Sequence, residues 1–226
     1  MSGNLRAIGA IIEHDLTTEL KSPVGLISVL VFGTGSLVTL HLALAGGGKP
    51  TPSVAAGALW IVLLFGALLG VGRVISSERE SGAWDALVAA PCDRTALFVG
   101  KLGSAFGQIA LVHIFLVPLY VLLFGAPPAA HGGWELAGAV LLADVGFAAT
   151  GVLVGVLALR ARGRELITGA VLLPLTMPLL IGAVALSLHA WGVEGGSSLQ
   201  YMTFLAAYDA TFIVAGIAAV PEIVVE

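Results

Sequence analysis

Six long apolar runs set the limits on how this chain can fold. They lie at about 24–45, 54–75, 97–124, 134–159, 166–190 and 201–220. An α-helix needs about 20 apolar residues to cross a bilayer core roughly 30 Å thick. Each run contains Gly or Pro, which membrane helices tolerate better than soluble ones. Composition agrees, with 58% of residues hydrophobic, only 11% charged and a mean hydropathy of +1.03. A soluble domain carries roughly a quarter charged residues to cover its surface. The expectation is one all-α integral membrane domain, residues 1–226, with six transmembrane helices. The sixth run is the weakest, because Asp209 interrupts it and Pro221 with Glu222 closes it early.

The basic residues orient the bundle. Arg6 and Lys21 precede the first run. Arg73, Arg79, Arg94 and Lys101 surround the gap between the second and third. Arg160, Arg162 and Arg164 fill the gap between the fourth and fifth. Nine of the ten Lys and Arg therefore fall on one side, and only Lys49 on the other. Cytoplasmic loops carry the basic excess, so both termini and the two basic gaps are expected in the cytoplasm. Trp60, Trp134 and Trp191 then fall near the outer interface, where indole rings prefer to sit. Trp84 lies on the cytoplasmic side.

Several function classes drop out. A net charge of −4 gives no footprint for nucleic acid. Cys92 is the lone cysteine, which excludes an internal disulfide, a CxxCH haem attachment and a multi-cysteine metal cluster. The start "MSGNLRAIGAIIEHDL" lacks the order of a cleaved signal peptide. "AGGGKPT", Ala45–Thr51, looks like a phosphate loop but has Ala43 and Pro50 where the motif needs Gly and Ser or Thr. The chain therefore carries no visible ATPase of its own. No nucleophile–histidine–acid set or metal-ligand spacing appears, so no catalytic residue is expected.

Ahead of the first run, residues 3–21 place Leu5, Ile8, Ile12, Leu16 and Leu20 at helical spacing, with Glu13, Asp15, Glu19 and Lys21 mainly off that stripe. This is an amphipathic helix that ends at Ser22-Pro23. It is expected to lie in the cytoplasmic interface, or else to pack on a partner. Gly-x-x-x-Gly pairs such as Gly66/Gly70, Gly103/Gly107 and Gly151/Gly155 permit close helix approach. They are no more numerous than the glycine content predicts. Ionisable groups in mid-membrane are costly and mark sites. His113 and Asp144 fall at that depth and are expected to face the interior, where they can pair. His41, His189 and Asp209 are placed near the outer ends. Pro174 and Pro178 sit one turn apart in "LLPLTMPLLIG". Each removes a backbone donor, which predicts a kinked or unwound span turned to the core or to a movable seam.

Residues 76–96, "SSERESGAWDALVAAPCDRTA", are the long polar interruption. Ser77 and Glu80 have capping-box spacing, so a short helix can begin near Ser77. Trp84, Leu87 and Val88 would share one face; Glu78, Ser81 and Asp85 another. Pro91 would end it, Asp93 would cap the next helix, and Lys101 would mark where the chain enters the membrane. The apolar face can rest on headgroups, or be gripped by a nucleotide-driven subunit as a lever.

"ERESGAWDALVAAPCDRTALFVGKL" resembles the cytoplasmic loop of type-2 ABC export permeases, with its short coupling helix. "RGRELITGAVLLPLTMPLLIGA" resembles the fifth-span signature of the haem exporter protein B (CcmB) family. "LRAIGAIIEHDL", "AAGALWIVLLFGALLGVGR" and the six-span count match as well, so the resemblance covers nearly the whole chain. It implies a permease subunit of an ABC complex for cytochrome c maturation, in the bacterial inner membrane. Its partners would be a CcmA-like ATPase, a CcmC-like haem-handling protein, a small CcmD-like subunit and a CcmE-like haem chaperone, with two permease copies. It implies coupling to the ATPase through Glu78, Arg79, Glu80, Gly82, Trp84, Leu87 and Arg94, with Pro174 and Pro178 as a structural hallmark. Haem would be the substrate of the complex and no cofactor would be held by this chain. The alternatives are a permease for another substrate, such as a lipid-linked sugar or a drug, and a scaffold that relays ATPase motion without transport.

Overall fold

The computed structural model describes residues 2–46, 50–80, 93–125, 132–158, 164–193 and 195–225. Seven helices and no strand appear among them: α1 (Ser2–Lys21), α2 (Val24–Ala45), α3 (Pro52–Glu80), α4 (Arg94–Phe124), α5 (Gly132–Ala158), α6 (Arg164–Ala190) and α7 (Ser198–Val225). Helices α2 to α7 are each long and apolar enough to cross a membrane. They match the six apolar runs in order.

Helix α5 is the axis of the bundle. It packs against α3, α4, α6 and α7, and 72% of its most apolar stretch is buried. Its sequence is apolar all round, the pattern of a helix with neighbours on every side. Helix α2 is at the rim, with Val24, Ile27, Val31 and Leu42 exposed. Such outward apolar faces suit lipid, which solvates them as well as protein does.

Helix starts and stops follow local chemistry. Asp93 caps α4, its carboxylate accepting from the Thr95 amide at 3.0 Å, as the sequence suggests. Gly125, at φ +97°, ends that helix in a conformation that favours glycine. Pro23 precedes α2 without a side-chain cap. Instead Glu19 reaches back from α1, its Oε1 accepting from the Leu26 amide at 3.1 Å. That bond supplies one of the free amides that every helix start leaves.

Four expectations need correction. Helix α3 continues unbroken through Ser77 to Glu80, so Ser77 is an interior helical residue and no helix begins there. Helix α6 stays helical from Arg164 to Ala190 despite its two prolines. Pro174 and Pro178 lie on its exposed face with Met177 and Ile181, while Leu172, Thr176 and Leu179 face inward. Helix α7 runs past Pro221 to Val225. Trp60 is not an interfacial belt residue. It is buried, and its Nε1 donates to Ser187 Oγ on α6 at 2.9 Å. Trp134, near the start of α5, is 75% exposed.

Helix α1 has a double character. It packs along α4, so its partner is this chain itself. Ile11 is buried and Ile8, Ile12 and Leu16 half-buried, whereas Leu5 and Leu20 are 70% and 56% exposed. Asp15, placed off the apolar stripe by periodicity, is on the packed face, where its Oδ2 accepts from Lys101 Nζ at 2.7 Å.

Candidate functional site: a buried histidine–aspartate pair

His113 on α4 and Asp144 on α5 meet inside the bundle. Nδ1 of His113 lies 2.6 Å from Oδ1 of Asp144, with side chains 1% and 3% exposed. The other ring nitrogen, Nε2, lies 3.2 Å from the Leu63 carbonyl on α3. A carbonyl oxygen only accepts, so Nε2 carries a hydrogen and donates it. One further proton is then shared between Nδ1 and Oδ1. Whichever atom holds it, the pair is neutral overall. That is the arrangement that makes two ionisable groups tolerable at this depth, where an isolated charge costs several kcal/mol. The pair joins three helices through two hydrogen bonds, and the ring lies beside Gly66 on α3, where a Cβ would stand in ordinary contact, 3.5 Å from Nε2.

Asp209 corrects the sequence reading. It lies eleven residues into α7, roughly 17 Å along the helix axis at 1.5 Å per residue, and is only 5% exposed. It is thus a mid-helix group and not an outer-end one. Its Oδ1 has no hydrogen-bond partner among the described residues. It sits against Gly146 of α5, where a Cβ would come within 2.7 Å of Oδ1. Next to it, Tyr208 donates to the Leu175 carbonyl of α6 at 2.8 Å. Leu175 lies between the two prolines, so this bond ties the proline-bearing turn of α6 to α7.

His41 and His189 are near the C-terminal ends of α2 and α6. His189 Nδ1 lies 3.1 Å from Glu135 Oε2 on α5, and Nε2 lies 3.2 Å from the Gly196 carbonyl. This pins α6, α5 and the turn before α7. His41 meets Phe124 edge-on at 5.4 Å, and Phe124 stacks on Tyr120 at 5.2 Å. Among the described residues no three His, Cys, Asp or Glu gather as a metal centre.

The residues assigned to ATPase coupling are placed unevenly. Glu78, Arg79 and Glu80 are on the last turns of α3, with only their backbone described, and Arg94 opens α4, half-buried. Gly82, Trp84 and Leu87 lie outside the described residues, as do Lys49, Arg160 and Arg162. Sequence reading missed Lys101–Asp15, Glu19–Leu26 and the contact of Gly100, Gly103 and Gly107 with α1. Added Cβ atoms at these glycines would reach Ile11, Ile12 and Leu16 within 3.0, 2.5 and 3.0 Å. Spacing of i, i+3 and i+7 puts the three glycines on one face. That stripe was a readable signal, obscured by counting Gly-x-x-x-Gly pairs over the whole chain.

Six apolar spans, with α5 central among them and an amphipathic helix docked on the third, define a multi-pass all-α membrane protein. Over residues 6–224 the chain matches the family described as CcmB protein. It belongs to that family. No curated protein matches the chain. Membership makes it a permease component of an ABC-type haem exporter for cytochrome c maturation, which associates with other members of that system and is not itself an enzyme.

Proposed function

We propose that this chain is the membrane half of an ABC complex whose ATP hydrolysis resides on a separate, CcmA-like cytoplasmic subunit. Two permease copies pair with two ATPases in the bacterial inner membrane, with both chain ends in the cytoplasm. The ATPase grips the end of α3, the segment after it and the start of α4 through Glu78, Arg79, Glu80, Gly82, Trp84, Leu87 and Arg94. Motion of that segment is delivered to the CcmC-like, CcmD-like and CcmE-like components, and the haem-loaded chaperone is released. Haem is the substrate handled by the complex, and this chain holds no cofactor of its own.

The observation that carries this reading is the family match over residues 6–224. The one-sided placement of Lys and Arg supports the orientation. The helical continuity of α3 to Glu80 and the capped start of α4 at Asp93 give the intervening segment two rigid anchors. A deletion strain stained for covalent haem should lose its c-type cytochromes; unchanged levels would overturn the assignment. Glu80→Ala and Trp84→Ala should lower ATPase co-purification or ATP turnover. Wild-type behaviour of both would remove the grip from this segment.

A further inference from the structure

Helix α1 is held at both ends and along its length by contacts that a floating interfacial anchor does not need. At its start, Asn4 Nδ2 donates to Asp93 Oδ2 at 3.3 Å. Asp93 is the residue whose other carboxylate oxygen caps α4. In its middle, Ile11, Ile12 and Leu16 fill the stripe left by Gly100, Gly103 and Gly107. Beside that stripe Lys101, 3% exposed, meets Asp15, 12% exposed, at 2.7 Å. At its far end Glu19 caps the first turn of α2. Asn4 to Glu19 is fifteen residues, roughly 22 Å of helix. The contacts run in step along both helices, 4 with 93, 11 with 100, 16 with 107, so the two lie side by side over several turns.

Close-packed contacts transmit displacement instead of absorbing it. A glycine face filled by branched side chains leaves little slack, and the Lys101–Asp15 pair fixes the register. Any movement of Asp93 and the first turns of α4 therefore carries α1 with it. Through Glu19, that movement arrives at the start of α2, the rim span that is least buried. Leu5 and Leu20 stay exposed, so α1 can move against lipid without unpacking.

We propose that α1 is a rigid strut that links the cytoplasmic end of α4 to the entrance of α2, with Asp15, Lys101 and Glu19 as its positioning residues. This rests on the reading that an ATPase drives the segment ahead of Asp93. The strut makes spans 1 and 3 respond together to one push.

The test uses the full complex purified from membranes, with the same strains stained for covalent haem. Asp15→Asn and Glu19→Ala should co-purify with the ATPase and keep ATP turnover, while c-type cytochrome levels fall about fivefold or more, the scale of a lost coupling energy. Glu19→Gln keeps the accepting oxygen and should restore them, as should the exchange Asp15→Lys with Lys101→Asp. Cytochrome levels unchanged in Asp15→Asn and Glu19→Ala would overturn the strut. So would a loss of cytochromes in step with loss of the assembled complex, because that is the mark of a merely structural contact. If Asp15→Asn does not accumulate, Ile11→Cys with Gly100→Cys, in a Cys92→Ser background, locks α1 to α4 on oxidation with copper phenanthroline. A Cβ at Gly100 stands 3.0 Å from that of Ile11, close to disulfide range. Locked complex should hydrolyse ATP as the reduced form does; a locked complex without turnover means α1 has to leave α4, and the proposal fails. Failure of the family reading is separate, since it shows as normal cytochromes in the deletion strain.

Discussion

Replacing His113 by Leu should be among the most damaging single changes in the bundle. The substitution puts an apolar side chain of similar size in its place and removes both hydrogen bonds, to Asp144 Oδ1 and to the Leu63 carbonyl. The Leu63 carbonyl still has its own helical partner. Asp144 does not, and it is 2% exposed. Breaking a buried pair by removing one partner costs about 3–5 kcal/mol. At 1.36 kcal/mol per tenfold, that is a change of about 10²- to 10⁴-fold in the folded-to-unfolded ratio. Asp144→Asn should cost far less, about 1 kcal/mol, because the amide can donate to Nδ1 while Nε2 keeps its bond to Leu63. Asp144→Val leaves one unpaired ring nitrogen on a still neutral imidazole, for about 1–3 kcal/mol. The double variant His113→Leu with Asp144→Val leaves no polar group behind, so its cost should fall below the sum of the two singles by about 0.5–3 kcal/mol. The measurement is equilibrium unfolding in mixed micelles titrated with a denaturing detergent, followed by tryptophan fluorescence. Simple additivity in the double variant, or a His113→Leu protein as stable as wild type, would refute the pairing argument.

Other consequences follow from single contacts. Gly146→Ala forces a Cβ to within 2.7 Å of both Leu179 Cδ1 and Asp209 Oδ1. It should lower stability by about 1–3 kcal/mol in the same unfolding assay. Gly57→Ala, with nothing within 4 Å, should be neutral or raise stability by up to about 1 kcal/mol through helix propensity. Tyr208→Phe removes the bond to the Leu175 carbonyl between the two prolines and should cost about 0.5–1.5 kcal/mol; no change in the unfolding midpoint would show that this bond does not hold α6 to α7. Trp60→Phe removes the donor to Ser187 at about 1 kcal/mol, and adding Ser187→Ala should cost little more, since the two residues share one interaction.

What could be read in the sequence was depth. Runs of about 20 apolar residues located every span, and the basic residues gave an orientation. The same counting put His113 and Asp144 at one level, and the structure places them in contact. Counting failed for Asp209, because α7 extends beyond the sixth run at both ends, from Ser198 to Val225. It failed for the prolines because it supplies no rotation about the helix axis. In water, the polar face of a helix reveals which side points in. Here most faces are apolar, so the sequence of α5 or α6 looks alike from every direction.

Length, number and polarity of the spans, and the amphipathic helix ahead of them, were thus set by sequence and the bilayer alone, since both are one-dimensional properties. The partners were not. Lys101 finds Asp15 across 86 residues, Trp60 finds Ser187 across 127, and His113 finds Asp144 across 31. Each of these choices depends on how far neighbouring helices rotate and how closely they approach. Those distances are decided where glycines such as Gly100, Gly103 and Gly146 let one helix settle into another, which only packing in three dimensions can select.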